Sequence, residues 1–229
     1  MSGNLTGIAS MATRQVLAEL AKACEHRSGG KVTIISTGGV EAARRVRDGE
    51  PIDVVILAAN VMNELEASGH LLAGTLADFA RSSIAVAVRS GEDRTRLDDA
   101  EAVKQAILKA RKLSYSTGPS GDHLKRLFEL WGIADAISSR VVQAAPGVPV
   151  GSLLARGEAD LGFQQLSELL DLPGIEILGL LPPAIQKETV FSAGVASRSS
   201  NPRKASALIE FLVSPETAPA KRRHGLDPA

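Results

Sequence analysis

The sequence predicts an α/β fold built on mostly parallel strands, and three observations carry that prediction. The chain has 229 residues, 44% of them apolar, enough for one large domain or two lobes with cores of their own. Apolar runs of strand length alternate with segments of helical period. Several strands also end in short turns of Ser, Thr and Gly that launch the next helix. In open α/β sheets that carboxyl edge is where ligands bind.

The organising stretch is 31–57. Val32-Thr33-Ile34-Ile35 is a β-branched apolar run that reads as a buried parallel strand. It runs into Ser36-Thr37-Gly38-Gly39, after which Val40, Ala43 and Val46 fall on one face of a helix. Asp48-Gly49-Glu50-Pro51 ends that helix, because Gly suits a left-handed cap and Pro cannot continue the turn. Ile52-Asp53-Val54-Val55-Ile56-Leu57 is the second strand of this βαβ unit. The first turn of the intervening helix offers unpaired N–H groups and the positive end of a dipole, so its natural guest is an anion.

The same arrangement recurs. Residues 5–9 read as a strand ending at Ser10-Met11-Ala12-Thr13, followed by a helix carrying Val16, Leu17, Leu20, Ala21 and Cys24. Further on come a helix over 61–67, Asp78 to Arg81 leading into a strand at 82–88, and a helix over 102–110. Leu113-Ser114-Tyr115-Ser116 reads as a short strand meeting Thr117-Gly118-Pro119-Ser120-Gly121, which starts a helix through Leu124, Leu127, Phe128 and Trp131. A strand at 140–143, the loop from Pro146 to Gly151 and a helix through Leu153 and Leu154 follow. A strand at 161–163 ends at Gln164-Gln165, ahead of a helix at 167–170 and a strand at 175–178. Residues 189–196 form a long apolar strand, and Ala205, Leu208, Ile209 and Leu212 mark a helix before a capped turn at Ser214-Pro215-Glu216.

Composition removes several function classes. The 26 basic and 26 acidic residues balance, so nothing global draws the chain to nucleic acid or an anionic membrane, and any anion must be recognised locally. Aromatics are 3%, too few for stacking platforms. No apolar run reaches membrane-spanning length. The start, Met1-Ser2-Gly3-Asn4, lacks a basic segment followed by a long apolar one, so the chain reads as cytoplasmic as written and periplasmic if its natural start lies upstream. The single Cys24 allows no internal disulfide and sits on an apolar helix face, so with His26 it reads as core rather than as a metal ligand. Ser36-Thr37-Gly38-Gly39 is not a G-x-G-x-x-G fingerprint, and no G-x-x-x-x-G-K loop is present, so no nucleotide cofactor and no metal are expected. The bland alternative for each hydroxyl turn is an ordinary N-cap.

These residues resemble a known family. Ser36-Thr37-Gly38-Gly39 with Gly49-Glu50-Pro51-Ile52-Asp53-Val54-Val55-Ile56 resembles the Ser-x-Gly-x-Leu … Gly-x-Pro-x-Asp-Val signature of periplasmic molybdate-binding proteins. Gly157-Glu158-Ala159-Asp160-Leu161-Gly162 resembles that family's Gly-Glu-Ala-Asp-x-Gly segment, and Pro119-Ser120-Gly121 its helix start. The resemblance spans nearly the whole chain. It implies a two-lobed type II periplasmic binding protein fold, each lobe a mixed, mostly parallel sheet flanked by helices. Lobe 1 would be discontinuous, 1–82 and 192–229, and lobe 2 would be 83–191, with hinge strands at about 82–88 and 189–196. A small anion, a molybdate-like oxyanion or a di- or tricarboxylate, would sit in the cleft of a monomer, with an ABC-importer permease as partner.

By the same resemblance, Ser10 and Ser36 match the hydroxyl ligands of the first lobe, with Met11, Thr37 and Gly38 beside them. Ser120 and Gly121 would face them from the second lobe, and Pro149-Val150 falls where a further backbone donor is expected. Where the family carries a Tyr, this chain has Gln165 beside Gln164, and an amide suits a carboxylate or a larger anion. Gly162-Phe163-Gln164-Gln165 and Thr189-Val190-Phe191-Ser192-Ala193-Gly194 look like the branch that includes proteins similar to aconitate isomerase. Such an isomerisation removes and returns a proton at an allylic carbon. His123 and Tyr115 are the acid/base candidates, with His123 as an exposed first-turn residue the alternative. Arg81 would hold a carboxylate in a bidentate fork, or else pair with Asp78 at the surface.

Three readings follow. The leading one is an anion-binding protein without chemistry, the second an isomerase of an unsaturated tricarboxylate, and the third a sensory domain like the effector-binding lobes of transcription regulators.

Overall fold

The computed structural model describes residues 4–92, 94–145 and 147–229. Met1 to Gly3, read above for a leader, and Pro146 of the loop 146–151 lie outside them. Contacts divide the chain into two units, Met1–Ser82 with Thr189–Ala229, and Ser83–Glu188.

The first unit starts with β1 (Leu5–Ser10), a 3-10 turn (Met11–Thr13) and α1 (Arg14–Ser28). Then come β2 (Val32–Thr37), α2 (Gly39–Arg47), β3 (Val54–Ala58), α3 (Ala59–Ala67) and β4 (Ala77–Ser82). The second unit holds β5 (Ile84–Arg89), α4 (Ala100–Lys109), β6 (Leu113–Tyr115), α5 (Pro119–Leu130) and α6 (Ala134–Ile137). It continues with α7 (Val150–Ala155), β7 (Leu161–Gln165), α8 (Leu166–Leu169) and β8 (Ile175–Leu180). The chain returns to the first unit through β9 (Thr189–Val195), α9 (Pro202–Val213), α10 (Ala218–Arg223) and β10 (Asp227–Pro228).

In the first unit the strand order is β10-β4-β9-β3-β1-β2. β1 is parallel to β2 and β3, while β9 runs antiparallel between β3 and β4. The fully buried run Val54–Ala58 explains its unbroken apolar sequence, since both sheet faces are covered. On one face Val54, Ile56, Phe79 and Phe191 pack with Val16 and Leu20 of α1 and Leu208 of α9. On the other, Ile8, Val55 and Leu57 meet Ala42, Ala43 and Val46 of α2 and Leu65 of α3. Gly49, at φ 81°, ends α2 in the left-handed conformation its sequence implied.

In the second unit the order is β6-β7-β5-β8, with β6 and β7 parallel and β5 antiparallel to both neighbours. Val86 and Phe163 pack with Ile107 of α4 and Leu124 and Phe128 of α5, and Ala85 and Ala87 with Leu153 and Leu154 of α7.

Several elements differ from the sequence reading. β2 is parallel but forms the sheet edge, with Ile35 47% exposed, because β1 stands between it and β3. Val40 is 82% exposed, and the buried face of α2 is Ala42, Ala43 and Val46. Residues 77–82 are a strand in their own right, β4, pairing with β9 and β10. Residues 140–143 form no strand; only Val141 makes a bridge, to Leu113. The chain crosses between units after Ser82 and after Glu188, the latter earlier than the 191/192 boundary, because Thr189, Val190 and Phe191 pair with β4. β5 pairs only within the second unit and β9 only within the first.

Two buried polar groups shape the first unit. Asp53, 4% exposed, accepts from the Thr6 N–H at 2.9 Å, Thr6 Oγ1 at 3.2 Å and Ser199 Oγ at 2.7 Å. Burial alone would raise its pKa, but these hydrogen bonds together hold the carboxyl below its usual value. Lys221, 1% exposed, sets its Nζ 4.7 Å from the centroid of the Phe79 ring, and burial pushes its pKa down to about 8.

Both groups link stability to pH. Asp53 stabilises the fold above its unfolded-chain value of 3.8, and that contribution is lost as pH falls through the lower folded value. Asp53→Asn is therefore expected to cost ~1–3 kcal/mol at neutral pH, with the deficit shrinking on acidification; urea titrations at several pH values check this. For Lys221 the unfolded chain holds more protons between about 8 and 10.5, so stability rises with pH across that window. Lys221→Met is expected to raise the melting temperature at pH 7, and the gain to fade as pH approaches 10.5.

Candidate functional site

Each unit carries a rim of strand ends from which helices start. On the first unit the rim comprises the carboxyl ends of β1, β2, β3 and β4. Ser82 and Thr189, where the chain leaves and re-enters the unit, pair at this same edge. Ser10 stands in register with Thr37, and Ala9 with Ser36. The Ser10 Oγ accepts from the Ala12 N–H at 3.4 Å, and its carbonyl accepts from Thr13 Oγ1 at 3.0 Å, so the N-cap reading holds for this turn. Met11 beside it is half-buried.

The second turn is different. Gly38 is the N-cap of α2, at φ −58° and ψ 139°, and no side chain caps the helix. The first intrahelical bond runs from Ala42 N to the Gly38 carbonyl, leaving the N–H groups of Gly39, Val40 and Glu41 at an open helix start. The Glu41 carboxylate is turned onto Arg44. Among the described residues, neither the Ser36 nor the Thr37 hydroxyl has a protein hydrogen-bond partner. Ser36 faces the groove between α1 and β2 with Ile34, and Thr37 points to the opposite sheet face. α3 starts at Ala58 without a side-chain cap as well. This rim therefore offers hydroxyl and backbone donors to an anion.

On the second unit the rim comprises the carboxyl ends of β6 and β7. α5 starts after Gly118 with Pro119 in its first turn and no side-chain cap. Ser120 is 1% exposed, and its Oγ lies 2.8 Å from Ser116 Oγ, so this hydroxyl is engaged within the turn. A Cβ on Gly121 would fall 1.8 Å from the Ser116 carbonyl oxygen, so only glycine lets α5 close onto the turn. The His123 Nε2 lies 2.7 Å from the Ile185 carbonyl; the ring is partly buried and ties α5 to the loop after β8. Because a carbonyl only accepts, Nε2 carries the proton and a neutral ring keeps Nδ1 as its basic nitrogen. Gln186 makes a two-way amide bond to the main chain of Ile84, 2.9 Å in each direction.

Gln164 was not among the residues singled out as ligands. Buried at 2% exposure, it accepts from Val150 N–H at 2.8 Å and donates through Nε2 to Glu168 Oε1 at 2.9 Å. The signal was its place in the strand. Leu161, Phe163 and Gln165 share one face of β7, while Gly162 and Gln164 face α7, so the two glutamines serve opposite sides of the sheet.

Three expectations change. Pro149 is the N-cap of α7, but the Val150 N–H is taken by Gln164 and is no open donor. Tyr115 lies in the core rather than open at the rim, 7% exposed and edge-on to Phe128 at 5.7 Å, and burial pushes its pKa up. Arg81 is exposed and donates Nε and Nη2 to the Pro228 carbonyl at 3.3 and 3.1 Å, while Asp78 accepts from Ser192. β9 and β3 separate Arg81's strand from β1, about 14 Å of sheet. The structure places Gln165 at the start of α8, 2% exposed.

With this geometry in hand, the sequence was compared with known proteins. It matches the bacterial extracellular solute-binding protein family over residues 5–227. An aconitate isomerase from a Pseudomonas species is 37% identical over 229 residues, covering 98% of this chain and 87% of that one. The molybdate-binding protein ModA of Azotobacter vinelandii is 25% identical over 219 residues, covering 90% and 83%. The solved periplasmic molybdate-binding protein of Azotobacter vinelandii superposes with a TM-score of 0.80 at 21% identity over 97% of this chain and 98% of that one. The fold is thus the two-sheet α/β fold of periplasmic binding proteins.

The close approach of the Ser116 carbonyl to Gly121 has a direct consequence for stability. Gly121→Ala forces backbone rather than a flexible side chain to move, so it is expected to cost about 3 kcal/mol or more, read as a lowered urea midpoint.

Proposed function

Because the chain belongs to the bacterial extracellular solute-binding protein family, we propose that it binds a small unsaturated polycarboxylate and isomerises it, as an enzyme of the aconitate-isomerase kind. The observation that carries this reading is the 37% identity to an aconitate isomerase along 98% of the chain, against 25% to a molybdate-binding protein. The geometry supports it in two ways. Ser10, Ser36 and Thr37, with the open first turn of α2, supply donors that suit carboxylate oxygens. The second unit adds what a pure anion binder does not need, a titratable ring on its rim.

The reaction moves one proton. A base takes it from a methylene next to the double bond, and a proton is returned to the far alkene carbon, so that the double bond shifts. His123 fits the base: its Nε2–H is held by the Ile185 carbonyl, which leaves Nδ1 to accept.

A second reading, an anion-binding protein without chemistry that serves an ABC-importer permease, is favoured by the first rim, whose hydroxyls and N–H groups suit an oxyanion equally well. Thermal-shift series with molybdate, tungstate, sulfate, citrate, cis-aconitate and trans-aconitate separate the two. A ligand at ~100 times its dissociation constant adds ~2.7 kcal/mol. The isomerase reading expects shifts with the aconitates, loss of those shifts in the Ser10→Ala, Ser36→Ala double variant, and conversion of one isomer to the other by NMR. Shifts with molybdate and tungstate alone, without conversion, would leave the binding reading in its place.

A further inference from the structure

The chain passes between its two units twice, and at the edge of the second sheet one side chain joins both passages. We infer that Gln186 is a hinge pin: its amide locks the two crossings to each other, so that bending between the units falls on Ser83 and on Lys187 and Glu188. The role holds whichever ligand the protein takes.

Each crossing can be followed residue by residue. On the first unit the last pair of the β4–β9 ladder is Ser82 with Thr189, both buried. On the second unit the β5–β8 ladder ends at Ala85 with Leu180, and β5 begins one residue before it, at Ile84. Ile84 is 0% exposed, so its main-chain groups on that side need partners. Leu181 N–H donates to the Ile84 carbonyl at 3.0 Å. The Gln186 amide supplies the rest: Oε1 accepts from Ile84 N–H and Nε2 donates to the Ile84 carbonyl, both at 2.9 Å. An amide used this way takes the place of a peptide group and adds a rung to the ladder. Nε2 also donates to the Leu181 carbonyl at 3.3 Å, and Oε1 accepts from Lys187 N–H at 3.0 Å.

The residues around the pin are anchored too. Ile185 is 8% exposed in the core, and its carbonyl meets His123 Nε2 at 2.7 Å. The Ser83 carbonyl accepts from Leu166 N–H at 2.9 Å, which ties that end to the second unit. Lys187 and Glu188 are exposed. One residue on the first crossing and two on the second therefore separate the ladder of one unit from the anchor of the other. Hinges are short stretches of this kind, which absorb large φ/ψ changes. A pin that keeps them short restricts bending to few paths and lowers the conformational entropy lost in any closing step.

The test measures the spread of distances between spin labels on the two units, by double electron–electron resonance. The labels sit on Arg203→Cys of α9 and Glu129→Cys of α5, both exposed, with Cys24→Ala removing the native thiol. Gln186→Met keeps the side-chain length and loses every bond of the amide. It is expected to widen the distance distribution at least about 1.5-fold and to speed hydrogen exchange at the Ile84 amide ~10-fold or more, with the rest of β5 still protected. Gln186→Glu keeps an acceptor for Ile84 N–H and loses the donor, so a smaller widening is expected. Two glycines inserted after Glu188 lengthen the free stretch and are expected to widen the distribution with Ile84 still protected. An unchanged width in Gln186→Met overturns the pin, and so does widening with Ile84 exchange unaltered. Exchange that quickens along all of β5, in either Gln186 variant, makes the amide a support of the sheet rather than of the crossings and overturns it too. An unchanged width after the insertion puts the bending elsewhere, with the same result.

Discussion

The constraint on which both rims depend is that three of the helices that start there, α2, α3 and α5, do so without a side-chain cap. Gly38, Ala58 and Gly118 precede α2, α3 and α5, and none can cap with a side-chain oxygen. A helix start leaves several N–H groups unpaired, and a cap contributes ~1 kcal/mol. At the opposite sheet edge α4 follows the rule, with Asp99 accepting from Ala102 N at 2.8 Å, and α9 begins with Pro202, which has no N–H to satisfy. Uncapped starts also occur at α6, α9 and α10, but those of α2, α3 and α5 stand where the sheets present their strand ends, and there they leave open donors.

The two rims are chemically unequal. On the first, donors come from main chain and from Ser36 and Thr37, and the charged neighbours are turned away: Glu41 lies on Arg44, and Arg81 on the Pro228 carbonyl. On the second, the polar groups are tied to one another. Ser120 bonds Ser116, Gln186 bonds Ile84, and Gln164 links Val150 to Glu168. A satisfied buried network of this kind holds side chains in single orientations. Proton transfer benefits from such fixity more than ion capture does.

Much of this was legible in the sequence, for physical reasons that can be named. β3 and β9 were readable because strands covered on both faces show unbroken apolar runs. The same logic misread β2: its run is equally apolar, yet it stands at the edge, and composition alone does not tell a central strand from an edge that a helix half covers. β4 was missed because Asp78 and Arg81 interrupt its pattern where they reach solvent and the β10 segment. The turn positions of Ser10, Ser36 and Thr37 at strand ends were legible because a hydroxyl turn follows directly from strand and helix periods. The roles of Val150, Arg81 and His123 were not, since each depends on a partner distant in sequence: Gln164, Pro228 and Ile185.

The insertion of one unit inside the other sets an order of events during synthesis. Every strand and helix of the second unit lies between Ser83 and Glu188, so that sheet is complete before Thr189 has been made. The first unit, although it begins the chain, must wait. Its sheet lacks β9, which joins β3 to β4 and carries Phe191 of its core, until the last fifth of the chain emerges, and Leu208 comes later still. Until then β3 exposes an unpaired edge of wholly apolar residues, a surface that invites pairing with other chains. The nascent protein therefore carries a finished second unit and an open first one, and its dependence on chaperones falls on the N-terminal strands.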